Sequence, residues 1–93
     1  MFKRGLLRRG RIYSDQGYSV GITDRTHLEY REGRRVMSVP GELGTNGFVL
    51  YTDTMNAWDD LLKVDDIKKR EIIQRIKEAL ESQGMVLDVV QST

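Results

Sequence analysis

DDIKKREIIQRIKEALESQGMVLDVVQ, residues 65–91, decides the fold class of this chain. Ile72, Ile73, Ile76, Ala79 and Leu80 recur at the spacing of one helical face, so the stretch predicts an amphipathic helix. Asp65 or Asp66 can accept from the free amides of the first turn. Gly84 suits the left-handed position that closes the last turn. Glu71, Arg75 and Glu78 read as a wet face. MVLDVVQ follows almost without a loop, with Met85, Leu87 and Val89 alternating against Asp88, the period of a closing strand.

Upstream, residues 11–52 break into pieces of strand length. RIYS is followed by the turn DQG, in which Gly17 can take a positive φ. YSVGIT, the turn DR and THLEYR follow, and Leu28 and Tyr30 alternate with His27, Glu29 and Arg31. Glu32-Gly33 reads as a tight reversal into RRVMSV. Asn46-Gly47 predicts a type I′ hairpin turn, since both residues tolerate positive φ. FVLYT then reads as a central strand covered on both faces. Pro40 donates no ladder hydrogen bond, which predicts a bulge or an edge there.

The expected architecture is α+β: an antiparallel meander of five to six short strands, one long helix on one face, and a final strand. A helix of about 18 residues is only ~27 Å long and covers one face of such a sheet. Tyr13, Tyr18, Tyr30, Val49 and Tyr51 cannot all point beneath it, so they either line a second small core or meet a partner.

With 93 residues, 39% hydrophobic and 31% charged, the chain has material for one thin core and one domain, 1–93. Cysteine is absent, which removes disulfides and thiol chemistry and agrees with a reducing cytoplasm. No apolar run approaches the roughly 20 residues needed to cross a bilayer, so no membrane partner is expected. The basic start MFKRGLLRRGRIY lacks a sustained apolar core of the secretory kind and is expected to fray over 1–10. Residues 53–66 hold Asp53, Asp59, Asp60, Asp65 and Asp66 against Lys63 alone. Acidic loop and basic start together either are solvated ends or steer a charged partner.

Signs of catalysis are thin. His27 is the only histidine and alternates onto the outer side of a strand. GELGTNG lacks the spacing of a phosphate-cradling loop, and DTMNAWDD lacks the glycine and glutamate of a calcium loop. No enzyme, cofactor or metal is expected. A nucleic-acid partner would use Arg8, Arg9, Arg11, Arg34 and Arg35, but a net charge of +1 leaves a weak electrostatic footprint and disfavours it.

VPGELGTNGFVLYTDTMNAWDD at 39–60, followed by VDDIKKREIIQRIKEALESQGMVLDVV at 64–90, resembles the immunity protein 74 family of bacterial polymorphic toxin systems. The shared features are the turn Gly41–Leu43, the strand Phe48–Tyr51, Trp58 in an acidic loop, the Ile-rich helix, Gly84 and the last strand. The resemblance implies an antidote that binds and neutralises a cognate toxin domain in the cytoplasm. Trp58 and Tyr51 would be its aromatic anchors, and Glu42, Asp53, Asp59 and Asp60 its charged specificity elements. Trp58 has a second reading, as a plug at the end of the core. The alternatives are a nucleic-acid-binding accessory domain using the basic start, and a module that forms a homodimer through its uncovered sheet face.

Overall fold

The computed structural model describes residues 2–4, by their backbone, and 11–90. Seven strands form one curled sheet in chain order: β1 (Phe2–Arg4), β2 (Ile12–Ser14), β3 (Tyr18–Asp24), β4 (His27–Glu32), β5 (Arg35–Leu43), β6 (Gly47–Tyr51) and β7 (Val86–Val90). The first six are an antiparallel meander. β7 returns parallel to β6 after the helix α1 (Asp66–Glu81), which supplies the crossover that parallel neighbours require. The fold is α+β, as expected. Apart from strand β1, the basic stretch expected to fray lies outside the described residues.

Local chemistry sets the boundaries. Gly17, Gly33 and Gly84 take φ of 91°, 60° and 76°, conformations that cost other residues energy. The Asp65 carboxylate accepts from the Lys68 amide at 2.7 Å and starts the helix. Ile72, Ile76, Ala79 and Leu80 are buried on its inner side, and Ile73 is half-buried. The helix touches β2, β3 and β7, so the sheet curls around it. The core runs from Ile12, Tyr18 and Val20 through Leu28, Tyr30, Met37 and Val39 to Phe48, Leu50 and Leu87.

Three local expectations need correction. Asn46 and Gly47 do not take positive φ, so no type I′ turn joins β5 and β6. The reversal is the longer loop Gly44–Asn46, closed by the Gly44 amide on the Gly47 carbonyl at 2.8 Å. Gly47 serves another purpose: a Cβ there would sit 1.9 Å from the Val86 carbonyl oxygen, so its bareness lets β7 pair closely. β6 is covered on one face only, with Phe48 and Leu50 buried and Val49 and Tyr51 half-buried. Pro40 lies in an internal strand, at the point where β5 changes partners. Gly41 and Leu43 donate to carbonyls at the β3–β4 turn, so position 40 faces the β6 side, where the pairing with β6 ends at Gly41. The missing N–H costs no ladder bond there. The register shift falls instead in the β3–β4 pair, between Ile22 and Asp24.

Candidate functional site: the outer sheet face and the acidic hairpin

Strand alternation decides what the helix leaves uncovered. On β6, Phe48 and Leu50 face the core, so Gly47, Val49 and Tyr51 face out. Cross-strand register aligns Glu42 of β5, Val49 of β6 and Asp88 of β7 in one row, two carboxylates flanking an aliphatic centre. The neighbouring rows pair Tyr51 with Val90 and Gly47 with Val86. A shallow groove of about 680 Å³ runs over this end of the sheet, with Arg25, Thr26, Gly47 and Val49 in its lining. Leu43 and Val86 add exposed apolar surface within it, and Val90 is exposed further along β7. The Tyr51 phenol is pushed up by partial burial and then by the nearby Glu42 carboxylate, which also hydrogen-bonds it. The Asp88 side chain makes no hydrogen bond or ion pair among the described residues.

The acidic loop is more ordered than its composition suggests. A 3-10 turn at Thr52–Thr54 presents Asp53, whose carbonyl accepts from Asn56 Nδ2 at 3.0 Å. A small hairpin follows, bridged at Ala57 and Lys63 and closed by the Trp58 amide on the Leu62 carbonyl at 2.8 Å. It lies along the part of β5 that β6 is too short to cover. The Asp59 amide donates to the Val36 carbonyl at 2.8 Å. The Asp59 carboxylate accepts from the Ser38 amide and hydroxyl, both at 2.9 Å. Asp60 bonds the Leu62 amide at 3.1 Å and approaches Arg35 at 3.4 Å.

Trp58 is buried, 5% exposed, as the plug reading has it. Its ring stacks on Tyr30 with centroids 6.1 Å apart, and Tyr30 stacks on Tyr18 at 5.7 Å. The Arg75 guanidinium caps that column 4.7 Å above the Tyr18 ring. The structure thus gathers Glu42 and Tyr51 on the outer face and places Asp59 and Asp60 on the hairpin. Asp59 is spent on β5.

A polar cluster between β4 and α1 escaped the sequence reading. Glu32 accepts from Tyr30 Oη at 2.6 Å, Lys68 Nζ at 2.7 Å and Arg75 Nη1 at 2.9 Å. Burial alone would raise the Glu32 carboxyl, but the hydrogen bonds from Lys68 and Tyr30, with the cationic charges, hold it below its ordinary value. Burial, then the bond to Glu32, pushes the Tyr30 phenol well above its usual range. Lys68 and Arg75 therefore belong to a half-buried clasp, not to a wet face. Its partners lie 36 and 43 residues apart, beyond any local pattern.

No group of three or more metal-ligating side chains occurs among the described residues. His27 is exposed and shares one ring nitrogen with Thr26 Oγ1 at 2.9 Å and Asp24 at 3.2 Å, a turn-stabilising arrangement. Arg11 is held by Glu29 and Ser19, and Arg35 by Asp60. No helix among the described residues is long and apolar enough to cross a membrane.

The family model described as immunity protein 74 matches residues 20–90, from β3 to the end of β7. The chain belongs to the immunity protein 74 family. The match takes in the outer row Glu42–Val49–Asp88, the hairpin and the helix, so both exposed features lie within the family's shared extent. No curated protein and no solved structure matches the chain.

Proposed function

We propose that this chain, acting as one immunity domain in the cytoplasm, binds a cognate toxin domain directly and blocks it, without chemistry of its own. The observation that carries the reading is the uncovered face at Glu42, Val49 and Tyr51, in a member of an immunity protein family. It pairs a half-exposed aromatic and a flat aliphatic floor with flanking carboxylates, the mixture that specific interfaces use. Neutralisation by occlusion needs only affinity, and roughly 800 Å² on each partner suffices for a stable complex. Of the arginines that would serve a nucleic-acid surface, Arg11 and Arg35 are engaged by the chain's own carboxylates.

The test is co-expression with the toxin encoded beside this chain's gene, scored by survival and by co-purification. Wild type protects and co-purifies. Val49→Arg, which plants a long cation on the groove floor, keeps the fold and loses both. Toxicity undiminished by the wild-type chain overturns the reading.

A further inference from the structure

The turn at the hairpin tip is a feature that the fold does not need in the form it has. Leu61 is the one non-glycine residue with positive φ among the described residues, at 72°, and it is 83% exposed. A left-handed conformation is unfavourable for a leucine, and glycine or asparagine would take it with less strain. Nor does the side chain recover anything by burial in its own chain. Its neighbour Leu62 is 48% exposed, so the tip offers two adjacent leucines to water.

The base beneath that tip is rigid. Trp58 is locked in the core, Asp59 is tied to Val36 and Ser38, and the Leu61 amide donates to the Trp58 carbonyl at 2.9 Å. Asp60 braces the turn through the Leu62 amide. A strained residue held outward on a braced support is a preorganised projection, which loses little entropy when it enters a partner.

We propose that Leu61 and Leu62 form an apolar knob that enters an apolar pocket with a basic rim on the toxin. This rests on the reading that the chain neutralises a toxin by binding it. The rim's sign follows from the two carboxylates next to the knob on the hairpin, Asp59 and Asp60. Of these two, among the described residues, Asp60 alone has a cation close by, Arg35 at 3.4 Å. A second copy of this chain is a poor occupant, because two acidic tips would then face each other.

The test titrates the purified, catalytically inactivated toxin domain encoded beside this chain's gene against wild type, Leu61→Gly, Leu61→Asn and Leu61→Met. Each is measured at a temperature where its melting curve shows it folded. Leu61→Gly and Leu61→Asn are expected to melt at or above the wild-type temperature and to bind at least about tenfold more weakly. Leu61→Met, which keeps the apolar volume, stays within about threefold, and added salt weakens wild-type binding. Leu61→Gly binding as tightly as a wild type that binds and protects overturns the knob and leaves neutralisation by binding intact. A wild type that neither binds nor protects overturns both.

Discussion

Gly47→Ala tests the contact on which the parallel end of the sheet depends. A Cβ at position 47 would lie 1.9 Å from the Val86 carbonyl oxygen, 2.8 Å from its carbonyl carbon and 2.9 Å from its amide nitrogen. All three are backbone atoms, so no side-chain rotation relieves the clash. A carbon and an oxygen rest at roughly 3.2–3.5 Å, so β6 and β7 would have to separate by more than about 1 Å. That shift stretches the ladder bonds of a five-residue strand and pulls Leu87 off the core. Overpacking of this kind costs about 1–3 kcal/mol, and a backbone obstacle puts this site at the upper end, about 3 kcal/mol. For a chain of this size each kcal/mol moves the melting temperature by roughly 4–8 °C, so the expected loss is about 12–24 °C. Trp58, buried against Tyr30, gives a fluorescence signal for the melt. Gly47→Asn separates the two readings of this glycine. If a left-handed turn were the reason for it, asparagine would be tolerated; the structure makes it worse than alanine. A Gly47→Ala melt within about 2 °C of wild type would refute the close approach of β7.

Gly41→Ala meets the same kind of obstacle, with the Val49 carbonyl at 2.1 Å and the Phe48 ring at 2.3 Å, and is expected to lower the melt by a comparable amount. Asp65→Ala removes the helix cap and is expected to cost about 1 kcal/mol by urea denaturation, whereas Asp65→Asn costs a few tenths at most, since asparagine caps as well as aspartate. Glu32→Ala leaves Lys68 and Arg75 with only the more exposed Glu71 as a shared carboxylate and is expected to cost about 1–2 kcal/mol. Because the folded-state carboxyl of Glu32 lies below its ordinary value, its contribution is complete above that value. It is lost as pH falls through the lowered one, so wild type should lose more stability than Glu32→Gln in acid melts. Tyr51→Ala removes a half-exposed ring and is expected to leave the melt nearly unchanged while weakening capture of the toxin.

Much of the fold was legible because its determinants are local. The helix announces itself through Ile72, Ile76 and Leu80 with Asp65 and Gly84 at its ends, and the reversals at Gly17 and Gly33 through residues that relieve positive φ. What escaped depends on neighbours distant in sequence. Gly47 stands beside Asn46 in the most familiar of turn dipeptides, yet its requirement comes from Val86, 39 residues later. Lys68 and Arg75 occupy positions whose spacing suggests a solvated flank, and only the curl of the sheet brings Glu32 and Tyr18 beneath them. Pro40 is a strand breaker by rule, but it faces a place on β5 where the β6 pairing has ended and no donor is wanted. For the candidate site, FVLYT is apolar throughout and so reads as covered on both faces; its Val49 and Tyr51 side stays only half-buried because the helix packs on the other face.

The division of labour within GFVLYTDTMNAWDD follows from that geometry. β6 is short, and the chain cannot leave the exposed edge of β5 unpaired without stranding the Ser38 amide and the Val36 carbonyl. Trp58 and Asp59 settle that edge from opposite sides: the indole goes inward onto Tyr30, and the carboxylate goes across to Ser38. Once those two residues are committed to the fold, the outward-facing members of the segment are Val49 and Tyr51 on β6, Asp53, Thr54 and Asn56 in the turn, and Asp60 on the hairpin, with Leu61 just after it. Replacing Trp58 with alanine would therefore destabilise by about 3–5 kcal/mol, the cost of emptying a buried aromatic site. Any loss of toxin capture by that variant should disappear under conditions where it is fully folded. Capture that stays weak in a folded Trp58→Phe variant would instead place the indole itself at the interface, against the stacking seen here.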